Sequence, residues 1–141
     1  MLEEIRQSGL PLPSVNQCEF SPGVHGLQHA PCTPESGQGG ETCGDLLEYC
    51  RAHNIVYNGY SPFGGPGHVS RLLSSSLLVS IANRRNSTPS RVALRWQVDK
   101  GVPVNPEATS VEYQRQNLDI FGTALQLDAN ETAALDAFRL D

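Results

Sequence analysis

The stretch TPSRVALRWQVDKGVPVNPEATSVEYQRQN, from Thr88 to Asn117, leaves little choice of architecture. Thr88 stands at an N-cap position with Pro89 at the first helical residue, and Gly101 falls just past the far end, so both limits of a helix are marked. Val92, Ala93 and Trp96 make its apolar stripe, with Trp96 read as core packing. Residues 102–104 follow as Val-Pro-Val, a short strand without alternation and therefore expected to be covered on both faces. Thr109 and Glu112 have the spacing of a capping box opening the next helix. Helix, strand and helix in such quick succession are the repeat of an alternating fold with parallel strands.

The same alternation runs through the rest of the chain. LEEIRQSG predicts a short helix with Leu2 and Ile5 on one face and Gly9 as its stop, and residues 14–20 (SVNQCEF) predict a strand. The Gly-, Pro-, Ser- and Thr-rich run at about 23–42 has little apolar period and reads as an inserted loop. GDLLEYCRAHN is helical, with Leu46, Leu47 and Cys50 on one face and Asn54 tolerating a left-handed end. IVYNGYSPFGG is a strand that breaks at Pro62. Leu77, Leu78, Ile81 and Ala82 mark a helix behind a serine cap, and Asp128 with Glu131 cap a last helix whose Ala134, Leu135 and Phe138 point inward. The fold class expected is α/β, about three parallel strands with helices, part of a (β/α)8 barrel; a full barrel takes about 250 residues.

Composition narrows the function. The 141 residues suit one domain, and a formal charge of −5 with a single lysine, Lys100, offers no basic stripe for nucleic acid. MLEEIRQSGLPLP lacks the basic start and apolar run of a secretory signal, and no apolar run approaches the roughly 20 residues that cross a bilayer, so a cytoplasmic protein without membrane partners is expected. Cys18, Cys32, Cys43 and Cys50 show no CxxC and read as reduced thiols. His25, His29, Cys32 and Cys43 include zinc-ligand residue types, but their spacings match no standard finger, and no metal is expected.

The motifs SVNQCEFSP, IVYNGYSPFGG, TPSRVALRWQVDKGVPVNP and QRQNLDIF, in this order, resemble the C-terminal part of aldo-keto reductases, over nearly the whole chain apart from the loop at about 23–42. The resemblance implies one partial aldo-keto reductase domain over residues 1–141 that lacks the N-terminal half of the barrel. It further implies reduction of aldehydes or ketones by hydride transfer from NADPH, less often NADH. Gln17 resembles the glutamine that bonds the nicotinamide carboxamide, and Tyr60 the tyrosine stacked on the nicotinamide ring. Ser61, Pro62, Phe63 and Gly64 resemble the loop beside the pyrophosphate. Gln116 and Asn117 match positions that hold the adenine edge, on the helix after Glu107 and Ala108. From the residues alone, Tyr60 is equally a strand-end core aromatic, and solvated helix amides are the lesser reading of Gln116 and Asn117.

The departures bear on the cofactor. Where the family has aliphatic-Pro-Lys-Ser and a later arginine, this chain has Asn105, Pro106, Glu107, Ala108 and Tyr113. A carboxylate facing a 2′-phosphate at about 4 Å repels it by roughly 1 to 4 kcal/mol. NADP(H) is thus the family expectation, with NAD(H) or no cofactor the alternatives that Glu107 and Tyr113 raise. The family's catalytic Asp, Tyr, Lys and His lie in the first half of the barrel, so no catalytic residue is assigned in this chain. Two functions are expected from this: a segment of an NAD(P)H-dependent carbonyl reductase, inactive and self-associating as an isolated chain, or a pseudoenzyme binding a nucleotide or a protein.

Overall fold

The computed structural model describes residues 1–25 and 44–140. In chain order the elements are α1 (Leu2–Gln7), β1 (Val15–Ser21), β2 (Val24–His25), α2 (Gly44–Ala52), β3 (Val56–Tyr60), α3 (Val69–Leu73), α4 (Ser76–Arg84), α5 (Pro89–Asp99), α6 (Val111–Leu118) and α7 (Ala129–Ala137). Single 3-10 turns at Asp119–Phe121 and Thr123–Leu125 lie between α6 and α7. His29, Cys32 and Cys43, three of the zinc-type candidates, lie outside the described residues, as does the side chain of His25.

β1 and β3 pair in parallel, with Val15 opposite Val56 and Gln17 opposite Asn58, and α2 makes the crossover between them. The two faces of this pair differ sharply. One carries Phe20, Tyr57 and Gly59 into a core shared with Leu47, Leu78, Ile81, Val92, Trp96 and Leu135. Phe20 stacks on Trp96 with ring centroids 5.1 Å apart. The other face presents Val15, Gln17, Val56, Asn58 and Tyr60, and the apolar members stay about half exposed. Strand alternation puts successive side chains on opposite faces, so one buried face leaves the other open.

Three expectations need correction. Residues 102–104 form no third strand; the contact is a single parallel bridge, Gly59 with Val104, and one bond from Gly59 N–H to the Pro103 carbonyl at 2.8 Å. Pro103 has no N–H to extend a ladder, and the segment alternates, with Val102 buried and Pro103 exposed, rather than being covered on both faces. An antiparallel β2, within the run read as a loop, pairs instead with the end of β1. The cap of α6 is Ser110, one residue later than expected: its hydroxyl accepts from Tyr113 N–H, and Glu112 receives a bond from Gln116.

The other local signals hold. Thr88 caps α5 with Pro89 at its first turn, Asp128 and Glu131 form the full capping box of α7, and Asn54, Gly9 and Gly101 are left-handed. Lys100 bonds Asp136 at 2.6 Å, and the same carboxylate accepts from Trp96 Nε1 at 2.7 Å, so the one lysine anchors α5 to α7. Cys18 and Cys50 are free thiols that share a donor, Asn16 Nδ2, and burial pushes both thiols up, which favours the protonated form. No described helix is long and apolar enough to cross a membrane.

Candidate functional site

The candidate residues fall on β1, on β3 and the turn after it, and on the chain that runs from the bridged segment at 102–104 into α6. Gln17 lies on β1, and directly opposite it Asn58 lies on β3, two residues before Tyr60. Positions 58 and 60 therefore share the open face, where the Tyr60 ring is 43% exposed. Asn105, just beyond the bridged segment, reaches back to β3: its Nδ2 donates to Asn58 Oδ1 at 2.6 Å and to the Gly59 carbonyl at 3.3 Å. Gln17 Nε2 donates to the same Asn58 Oδ1 at 3.2 Å. Two side-chain amides from separate segments thus converge on the oxygen of a third, on the strand face that also carries Tyr60.

The turn after β3 is held from beneath. Ser61 is left-handed at φ 50, a strained conformation for a residue with a Cβ, and Gly64 and Gly65 follow at φ 86 and 68. Gly64 N–H closes the turn on the Ser61 carbonyl at 2.8 Å. Pro62 is buried, and its carbonyl accepts from Gln97 Nε2 at 2.9 Å; the second amide hydrogen of Gln97 goes to Ala93 O at 3.0 Å. Gln97 is fully buried, and its Oε1 has no hydrogen-bond partner among the described residues. An orphaned buried acceptor costs about 1–3 kcal/mol, so the amide sits there for its two donors. From the other side His68 Nδ1 lies 2.8 Å from Gly64 O; a carbonyl only accepts, so this nitrogen carries the proton. Phe63 packs against the core.

The segment leading to α6 is looser. Glu107 is exposed and makes no hydrogen bond or ion pair among the described residues, and Ala108 is half-buried. Gln116 bonds Glu112 of its own helix at 3.0 Å, Asn117 is half-buried, and Val111 and Tyr113 stand exposed. α6 is fixed at its far end, where Arg91 bonds the Asp119 carboxylate at 2.6 Å and Arg95 bonds the Ile120 carbonyl at 2.9 Å. No described hydrogen bond joins Glu107, Ala108, Gln116 or Asn117 to the amide cluster or to the turn after β3. Asn58 and Gln97 were not singled out from sequence. Asn58 was legible as the same-face neighbour of Tyr60, and Gln97 as a polar residue one turn past Ala93 on the buried stripe of α5.

Comparison with known proteins matches residues 43–139 to the model of the aldo/keto reductase family. The chain belongs to this family. An aldo-keto reductase of Mycolicibacterium vanbaalenii is 38% identical over 117 residues, 83% of this chain and 37% of the relative. The D-galacturonate reductase of Fragaria ananassa is 29% identical over 128 residues, 89% of this chain and 35% of the relative. Among solved structures, a Gox0644 mutant in complex with NADPH superposes with a TM-score of 0.74 at 28% identity, over 96% of this chain and 41% of that one. An aldose reductase from Schistosoma japonicum, at 21% identity and a TM-score of 0.76, covers 99% of this chain and 38% of its own, and speaks for the fold alone. The chain spans about a third of the length of the curated relatives it matches.

Proposed function

We propose that this chain supplies the dinucleotide-holding strand ends of an NAD(P)H-dependent reductase of aldehydes or ketones. The observation that carries this reading is the exposed Tyr60 ring beside the ordered amides of Gln17, Asn58 and Asn105, with a strained and pinned turn at 61–64 next to it. A bound nicotinamide dinucleotide supplies hydride to a carbonyl carbon. Tyr60 offers a flat apolar face for the ring, and Gln17 offers an amide for its carboxamide. The turn at 61–64, followed by glycines at 64 and 65 that have no side chain to hold a ligand off, lets the main chain come close to a diphosphate.

At the adenosine end, Glu107 and Tyr113 fit a 2′-hydroxyl better than a 2′-phosphate. A carboxylate accepts a bond from a ribose hydroxyl and repels a phosphate, and no arginine or lysine replaces the missing cations at these positions. NADH is therefore the expected preference. Calorimetric titration of the purified chain with NADH and NADPH tests the reading: saturable binding with NADH the tighter ligand is expected, and absence of binding by either nucleotide overturns it.

A further inference from the structure

Helix α6 is amphipathic in the reverse sense. A surface helix ordinarily turns its apolar stripe to the core, yet α6 fully buries no side chain, and the positions it half-buries are the amides of Gln116 and Asn117. Its aliphatic residues stand in solvent instead, Val111 at 62% and Leu118 at 72% exposed. Residues seven apart are about two helical turns apart, so these two lie on one line along the outer side, with Gln114 and Arg115 between them. Phe121, in the 3-10 turn that follows, is also 67% exposed. Large apolar side chains gathered on one outward face mark an interaction surface. Beside the stripe lies one charge of each sign. Arg115 makes no hydrogen bond or ion pair among the described residues, whereas both arginines of the neighbouring α5 are ion-paired. Glu112 accepts only from Gln116 of its own helix.

We infer that the outer face of α6 is a contact between two copies of this chain, which pair their α6 helices antiparallel, Val111 of each against Leu118 of the other and Glu112 of each beside Arg115 of the other. A twofold axis that sets position 111 opposite 118 leaves Glu112 and the second copy's Arg115 about two residues, or roughly 3 Å, apart along the helices, within reach of an arginine side chain. Both charges sit on the same flank of the stripe, and an antiparallel twofold brings like flanks together. A patch that carries its own complement fits a second copy of itself, whereas a partner surface of a single sign would leave Glu112 or Arg115 facing its like. One helix face is smaller than the roughly 800 Å² per partner of a standard interface, so the dimer is expected to be weak and concentration-dependent. Tyr113, Gln116 and Asn117 lie on the other side of the helix, and the open face of β1 and β3 takes no part, so this contact stands apart from the dinucleotide reading.

Sedimentation equilibrium of the purified chain, carried up to about 0.5 mM because the contact is small, tests this. The wild-type chain should show a reversible monomer–dimer equilibrium, and Leu118→Glu should weaken it at least 10-fold. Glu112→Arg alone and Arg115→Glu alone should each weaken it by roughly 5-fold, since each sets like charges across the axis at both symmetric places. An equimolar mixture of these two variants should dimerise within twofold of wild type, because one is then positive at both positions and the other negative at both. That recovery requires two copies to meet through this face, and a merely structural effect of either substitution would not produce it. A chain that stays monomeric throughout the range overturns the inference. So does association that Leu118→Glu leaves unchanged, which would place the contact on another surface such as the open sheet face, and so does a mixture that dimerises no more tightly than its components.

Discussion

Two neighbouring segments, β3 and the bridged residues 102–104, lead into turns of opposite character. After β3, residues 61–67 are pinned from below by the buried Gln97 amide and from the side by His68, and strain is tolerated at Ser61 because these bonds over-determine its backbone. After residues 102–104 the chain runs half-exposed past Glu107 to the Ser110 cap; among the described residues its side-chain ties are Asn105 at its start and Arg91 and Arg95 beyond α6. A turn that must present main-chain groups to a ligand benefits from being pre-shaped, since ordering it on binding would cost free energy. A turn that acts through one charged side chain, the role proposed above for Glu107, needs no such support.

The harshest way to break this contrast is to separate the two segments. A Cβ at Gly59 would stand 3.0 Å from Val102 Cγ1 and 3.3 Å from Phe20 Cβ. Gly59→Val should therefore cost about 3 kcal/mol by overpacking, read as a fall in the denaturant midpoint, and an unchanged midpoint would mean that residues 102–104 do not seat against β3. Next comes the pin itself. Gln97→Met should cost about 1–2 kcal/mol and speed amide exchange in residues 61–67 but not in 105–110; equal acceleration in both turns would erase the distinction drawn here.

The exposed turn should answer to charge instead. Glu107→Lys combined with Tyr113→Arg is expected to tighten NADPH by about 10-fold, or about 1.4 kcal/mol, with NADH affinity and thermal midpoint nearly unchanged. Ser110→Ala removes the cap of α6 and should cost roughly 0.5–1 kcal/mol, seen as fraying of α6 by amide exchange.

The smallest effect is expected from mild acid. Burial pushes the Glu131 carboxyl up, but bonds from Arg85 and from Asp128 N–H outweigh it and leave the group below its ordinary value. Its stabilisation is thus fully present above the unfolded carboxyl's pKa and is lost as pH falls through the lower folded one. The stability difference between wild type and Glu131→Gln should be constant from pH 8 to about 5.5 and shrink below about 4.5. A difference that already shrinks near pH 6 would contradict the direction of the shift.

Most helix limits and the parallel order of β1 and β3 were legible from residue to residue. Thr88 with Pro89, Asp128 with Glu131, and Gly101 act over three or four positions, and such local chemistry survives in any tertiary setting. The misread cap shows the limit of that logic: Thr109 and Ser110 are adjacent hydroxyl residues, and which of them caps α6 depends on where the preceding chain leaves the sheet. The third strand was misread for a similar reason. Val-Pro-Val has the apolar content of a strand, but pairing requires donors, and Pro103 offers none.

By itself, then, the sequence determined the alternation of elements, their caps, the stripe of α5 and the absence of phosphate-binding cations at Glu107 and Tyr113. Only the tertiary structure decided that Gln17, Asn58 and Asn105 share one oxygen, across separations of 41 and 47 residues, and that Gln97 reaches the Pro62 carbonyl 35 residues away. Capping and periodicity are set by neighbours along the chain, whereas the sense of an amide is set by whichever carbonyl folding places beside it. In this protein that carbonyl belongs to Gly59.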